Sequence, residues 1–220
     1  MADFDENKLA ELAKQADVFL QTGVKNADTE RVFDEIQQIV AAEAGFVGLA
    51  QIDLTIGDLK GNGLKIARYI RYAERVGLDM IVFPELALMG YPVEDIIDRH
   101  PVVVAENVRW VKELAKLARN TTALVGFVEP RGDTAVGRQY YNAVAVLHNG
   151  EIQGIVRKRL LPTYSEFNDS RYIEPSPVAG VQPADTLGAF TPDKIANVKK
   201  TLTVNGISYG ISICEDCWNN

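Results

Sequence analysis

Cysteine and histidine are nearly missing from this sequence: Cys214 and Cys217 are its two thiols, and His100 and His148 its two imidazoles, in 220 residues. Two cysteines are too few for a disulfide framework at this length, which points to a reducing compartment and leaves the thiols open to chemistry. A tetrahedral zinc site would need two further ligands beside the C-x-x-C pair, and neither histidine stands at ligand spacing from it. A thioredoxin-like redox pair should open a helix early in a small βαβ unit. Here the pair lies at the end of the sequence and encloses Glu215 and Asp216, whose charge opposes thiolate formation. Positive charge is also in short supply. With 23 Lys and Arg against 30 Asp and Glu, the net charge is −7, so the chain has no footprint for a phosphate backbone and no nucleic-acid partner is expected. No apolar run approaches the roughly 18 residues of a bilayer span, and the N-terminus is acidic where a signal peptide would be basic. The expected setting is cytoplasmic, with no membrane partner. Gly57, Gly61 and Gly63 fit neither the Walker nor the dinucleotide spacing and are read as the entry to a helix.

What is present is enough apolar residue, 47% of the chain, for one full core. Residues 1–45 read as a two-helix extension, with Leu9, Leu12, Ala16, Phe19 and Leu20 on one stripe and Val32, Ile36, Ile39 and Val40 on another. Asp28 or Thr29 would start the second helix and Gly45 would stop it. From residue 46 the pattern changes to alternating strands and helices. The apolar run 46–52 suits a strand buried on both faces. A helix capped by Asn62 runs to Val76 with Gly77 at its C-terminus, and a strand over 80–83 is broken by Pro84. A helix over about 105–119 leads into a strand over 122–127. Two hairpins follow, each built around the Asn-Gly dipeptide that favours a type I′ turn: 140–147 with 151–157 around Asn149-Gly150, and 200–204 with 207–213 around Asn205-Gly206. The intervening segment 162–197, rich in Pro, Asp, Ser and Gly, is longer than an ordinary connection and is expected to be functional or partly ordered by its surroundings.

Three residues sit where strands end. Glu85 follows Pro84, so pairing must stop there and the carboxylate is presented at the strand's C-terminal edge, where α/β proteins place ligands. Lys158 ends the second strand of the first hairpin. Alternation puts it on the face of Ile152, Gly154 and Val156, with Arg157 and Arg159 pointing away. A buried ammonium needs a carboxylate partner or a developing negative charge to act on. Cys214 ends the final strand on a face of small residues, Ser208, Gly210 and Ser212, which would let another layer approach closely. Each has a plainer reading: a solvated loop carboxylate, a basic strand end, an inert buried thiol. The acidic pairs Glu94 and Asp95, and Glu166 and Asp169, read as loop charges.

Taken in order, Phe-Pro-Glu85-Leu, Arg-Lys158-Arg-Leu-Leu-Pro and Ile-Cys214-Glu-Asp resemble the three motifs of the nitrilase (carbon-nitrogen hydrolase) superfamily. Gln51-Ile52, Gly57-Asp58, Gly90-Tyr91-Pro92 with Glu94-Asp95, and Leu161-Pro162-Thr163-Tyr164 with Phe167 and Arg171-Tyr172 narrow the resemblance to the glutaminase domain of glutamine-dependent NAD synthetases. It covers about residue 46 to the C-terminus. The resemblance implies a four-layer αββα sandwich over 46–220; the helical extension 1–45 is not part of the family's usual pattern and is read as a lid or an oligomer contact. It also implies a catalytic trio: Glu85 as general base, Cys214 as the nucleophile on the amide of glutamine, and Lys158 with the backbone N–H of Glu215 on the oxyanion. Tyr91, Tyr164 and Phe167 match aromatic positions lining the glutamine pocket. The family passes ammonia to a separate synthetase domain that uses ATP and Mg to amidate nicotinate adenine dinucleotide; no cofactor or metal is expected in the part present here. The family usually assembles as homo-oligomers. Cys217 stands where the family has an apolar residue, and the implied fold needs further strands and helices, so these 220 residues are expected to be an incomplete unit. A stand-alone amidase acting on another small amide would use the same trio, and an inactive interaction module would leave Cys214 inert to alkylation.

Overall fold

In the computed structural model, residues 6–23, 27–42, 45–132, 137–165, 167–187, 199 and 201–218 are described. The helices are α1 (Glu6–Thr22), α2 (Ala27–Val40), α3 (Leu59–Val76), α4 (Ile96–Arg99) and α5 (Pro101–Ala115). The strands are β1 (Val47–Leu49), β2 (Met80–Val82), β3 (Thr122–Pro130), β4 (Tyr140–His148), β5 (Glu151–Arg157), β6 (Gln182–Pro183), β7 (Leu202–Val204) and β8 (Ile207–Tyr209). β1 to β6 form one six-stranded sheet in sequence order, and β7 pairs with β8 in a second sheet. The first three strands are parallel, joined by crossovers that contain α3 and then α4 and α5, while β3 to β6 run antiparallel.

Ile66, Ile70 and Ala73 of α3, with Val104, Val111 and Leu114 of α5, meet Ala123, Val125, Phe127, Ala145 and Leu147 on one face of the sheet. The other face buries Met80, Leu124, Val144, Val146 and Val156 under Ile213, with Leu202, Tyr209 and Ile211 packed alongside. The layers are therefore helices, the large sheet and the small sheet, which is why β3 and β4 are buried along nearly their whole length. Among the described residues no helix is long and apolar enough to cross a membrane.

Several local expectations are corrected. The run 46–52 contributes only the three-residue β1 at the sheet edge, where Leu49 is 72% exposed. Asp58, not Asn62, caps α3 by accepting from the Gly61 N–H at 2.8 Å. Asn62 is buried inside the helix, where it bonds both backbone groups of Thr55 and the carbonyl of Leu88. Gly77 does close the helix in the left-handed conformation. In the first hairpin, Asn149 and Gly150 have φ of +54° and +76°, as a type I′ turn demands. A bulge opposite Val146 and Leu147 breaks strict alternation, so Ile152 packs with the helix-side core instead of sharing a face with Val156. Of the long segment 162–197, residues 188–197 lie outside the described set, as does Glu166.

The two N-terminal helices are docked. Leu12, Ala16, Val32, Phe33, Ile36 and Val40 form a cluster that takes in Val76 of α3. Tyr69 donates to Asp17 at 2.5 Å, and Arg75 pairs with Asp34 and donates to Gln37 at 2.8 Å.

Candidate active site

β2 ends at Val82, and Phe83-Pro84 leads into a turn in which Leu86 adopts φ +51°. That turn lies directly on Gly126 of β3, whose missing side chain makes room for it: a Cβ there would sit 2.5 Å from both the Leu86 nitrogen and the Pro84 oxygen. Glu85 is thereby held at the strand edge with its side chain 19% exposed. Lys158, the residue after β5, is fully buried, with its N–H bonded to the Asn142 carbonyl at 2.9 Å and its own carbonyl accepting from Ser176 at 2.9 Å. Its ammonium donates to Glu85 Oε1 at 2.6 Å and to Asp169 Oδ2 at 2.8 Å. Burial pulls the ammonium's pKa down, but the two carboxylates outweigh it and the net displacement is upward. Lys158 therefore stays charged through neutral pH.

Cys214 opens a 3-10 turn, Cys214–Cys217, directly after the extended Ile213, and its φ is +45°. A non-glycine residue in that region costs about 1 kcal/mol or more and persists only where its surroundings hold it. The sharp exit leaves the thiol exposed. Glu85 and the backbone N–H of Glu215 lie close enough to the thiol to act on its ionisation. Partial burial and the Glu85 carboxylate push the thiol's pKa up, with Lys158 opposing them. The strand itself stops at Tyr209, and Ser208, Gly210 and Ser212 are exposed, so among the described residues no layer lies on the small-residue face.

The four remaining site candidates border this cluster. Tyr91 donates to Asp169 Oδ1 at 3.0 Å, and its hydroxyl pKa is raised by burial and by the Asp169 charge, so it remains a donor. Phe167 stands between the other two aromatics, with ring centroids 6.1 Å from Tyr91 and 5.7 Å from Tyr164. Tyr164 donates to Glu215 Oε2 at 2.8 Å, at the exposed rim. The result is an aromatic wall beside a carboxylate-ammonium-thiol cluster.

Three participants escaped the sequence reading. Asp169, read as a loop charge, is buried and completes the Lys158 pairing; its distance of 2.8 Å from Nζ is set by a long loop that carries no local signal. Asn142 donates to Glu85 Oε1 at 2.6 Å. Its place on the strand beside Lys158 could have flagged it as a polar residue within an apolar run. Arg157, expected to point to solvent, is as buried as Lys158 and forms an ion pair with Glu129, with further bonds to Gln182 and Thr186. The face it shares is closed by β6 and the turn after it, so the guanidinium must be paired, and it is.

Among the described residues no group of three or more His, Cys, Asp or Glu could hold a metal ion. A cavity of about 490 Å³ lies elsewhere, bordered by His148, Gln153, Gln182 and Lys199, and none of the cluster residues lines it.

Residues 44–220 match the family model described as carbon-nitrogen hydrolase. A glutamine-dependent NAD(+) synthetase of Thermotoga maritima is 38% identical over 175 residues, covering 79% of this chain and 26% of that protein. Its counterpart from Aquifex aeolicus is 35% identical over 176 residues, covering 77% and 25%. Among solved structures, a glutamine-dependent NAD+ synthetase from Acinetobacter baumannii, in complex with ADP, superposes with a TM-score of 0.61 at 27% identity, covering 78% of this chain and 28% of that one. The chain thus spans about a quarter of the length of the curated relatives it matches.

Proposed function

Because this chain belongs to the carbon-nitrogen hydrolase family, we propose that it is the glutaminase part of a glutamine-dependent NAD(+) synthetase, in which Cys214, Glu85 and Lys158 release ammonia from glutamine. The observation that carries the reading is the single carboxylate of Glu85, which accepts from the buried Lys158 ammonium at 2.6 Å and lies near enough to the Cys214 thiol for its charge to oppose the thiolate. A thiol with a raised pKa is not a standing thiolate, so it needs a base within reach at the moment of attack, and Glu85 is in place for that.

In the proposed sequence, Glu85 takes the Cys214 proton as sulfur attacks the side-chain amide carbon of glutamine. The oxygen that becomes negative is met by the Lys158 ammonium and the Glu215 N–H, donors of the kind commonly worth about 3 to 4 kcal/mol each. Protonated Glu85 then delivers its proton to the departing nitrogen, which leaves as ammonia, and a γ-glutamyl thioester remains on Cys214. Water deprotonated by Glu85 attacks the thioester, and the carboxylate product and free thiol are restored. Asp169 and Asn142 hold Lys158 and Glu85 in register throughout. Tyr91, Phe167 and Tyr164 would flank the aliphatic part of the substrate, with Glu215 at the rim positioned for its α-ammonium.

In this proposal residues 46–220 are the hydrolase unit and 1–45 an extension docked on it. The partner is a synthetase domain that consumes the ammonia with ATP and Mg, in a cytoplasmic, homo-oligomeric protein. The test is glutamine-dependent ammonia release from this chain and from a version extended by about one hundred residues, a length taken from the usual size of a domain, each with a Cys214→Ala control. Release that disappears in the control is expected. Release from simple aliphatic amides but not from glutamine would contradict the glutaminase reading and favour a stand-alone amidase.

A further inference from the structure

Cys214 must hold its left-handed backbone with its thiol near Glu85, yet the turn that carries it follows an open stretch: Ser212 is exposed, and a Cβ on Gly210 would meet nothing within 4 Å. Asp216 supplies a tie. Its Oδ1 accepts the backbone N–H groups of Leu160 at 2.8 Å and Arg159 at 3.0 Å, the two residues that follow Lys158. Its Oδ2 faces the Ile213 N–H at 3.4 Å, and its own N–H bonds the Ile213 carbonyl at 3.1 Å. One side chain therefore closes the nucleophile's turn and fastens it to the backbone leaving the oxyanion-side lysine. Lys158 is itself fixed to the sheet through Asn142.

We propose that Asp216 is a positioning residue that clamps the Cys214 turn to the Lys158 segment and so sets how closely the Cys214 thiol approaches Glu85. The carboxylate is occupied by backbone donors on both sides, which makes it an anchor and not a second base. The adjacent Glu215 cannot substitute, because its carboxylate is turned to Tyr164 at the rim. The proposal rests on the trio assigned above and adds to it the element that preserves its geometry.

The test reads coupling between two side chains. In a Cys217→Ser background, the pH profile of iodoacetamide alkylation at Cys214 is measured by mass spectrometry with Glu85 and with Glu85→Gln. Removing a neighbouring negative charge should lower the midpoint by about one pH unit. In Asp216→Ala that difference should vanish, and the Arg159 and Leu160 amides should lose protection from hydrogen exchange. Asp216→Asn, which keeps an acceptor oxygen for both amides, should retain the difference. If Asp216→Ala does not fold, Asp216→Ser, whose hydroxyl ends one bond short, takes its place with the same expectation. A full Glu85 effect in the Ala or Ser variant, or its equal loss in the Asn variant, overturns the clamp and leaves the trio standing. No Glu85 effect in the Asp216 parent overturns both.

Discussion

Cys214 is an exposed thiol whose ionisation is held back by its surroundings, and that combination determines how it should respond to pH. Burial and the Glu85 carboxylate both disfavour the thiolate, so alkylation of Cys214 should rise with pH at a midpoint above that of an ordinary thiol, whereas Glu85→Gln should shift the curve toward lower pH and abolish turnover. A variant that reacts faster with iodoacetamide while hydrolysing nothing would separate ionisation from catalysis; unchanged profiles would place Glu85 out of contact. Lys158 works in the opposite sense. Its raised pKa means its paired form is complete below the ordinary lysine range and is lost only as pH rises through the higher value, so it should not shape the profile near neutrality. Glu85 and Lys158 were legible because Pro84 and the end of the first hairpin announce them, whereas Cys214, expected to end a strand, opens a 3-10 turn five residues after β8 stops. Asp169 and Arg157 were not. A carboxylate in a long polar segment and a cation in a basic run look solvated until the chain folds back on them, and only the tertiary arrangement gives Asp169 its lysine and Arg157 its Glu129.

At the level of elements, local chemistry predicted well wherever it acts within a few residues. Asn149-Gly150 and Asn205-Gly206 both turn hairpins, with positive φ at every one of the four positions, because the preference resides in those residues themselves. Asn62 was misread for the complementary reason: its partners Thr55 and Leu88 lie outside the helix, and Asp58 captures the cap first. The same holds for Gly126, an unremarkable glycine in an apolar strand until the Glu85 turn is laid across it. Gly126→Ala should destabilise the fold by about 1 to 3 kcal/mol in urea unfolding, as overpacking commonly does. It should also reduce ammonia release by up to about 100-fold, because a displacement of about 1 Å at a catalytic group can cost that much. Wild-type stability in that variant would mean that the turn has slack, and the account of how Glu85 is held would fail.

For the whole molecule, composition and alternation were sufficient to anticipate an α/β domain with helices over a mixed sheet, since burial on both faces of β3 and β4 leaves a continuous apolar record. The docking of α1 and α2 was not legible. Each shows one apolar stripe, but the surface that receives them is built by Tyr72 and Val76 at the far end of α3 and by Leu78 just beyond it, and the bond from Tyr69 to Asp17 spans 52 residues of sequence. The short β7–β8 sheet packs on the remaining face and delivers Cys214 to the edge where Glu85 and Lys158 end. Function at this scale depends on bringing three distant sequence segments to one point. The most direct measurement is therefore to treat the protein with an electrophilic γ-carbonyl analogue of glutamine and locate the adduct by peptide mass spectrometry. The account predicts labelling at Cys214, slowed by glutamine and absent in Cys214→Ala. Labelling at Cys217 instead, or labelling at Cys214 that glutamine does not slow, would contradict it.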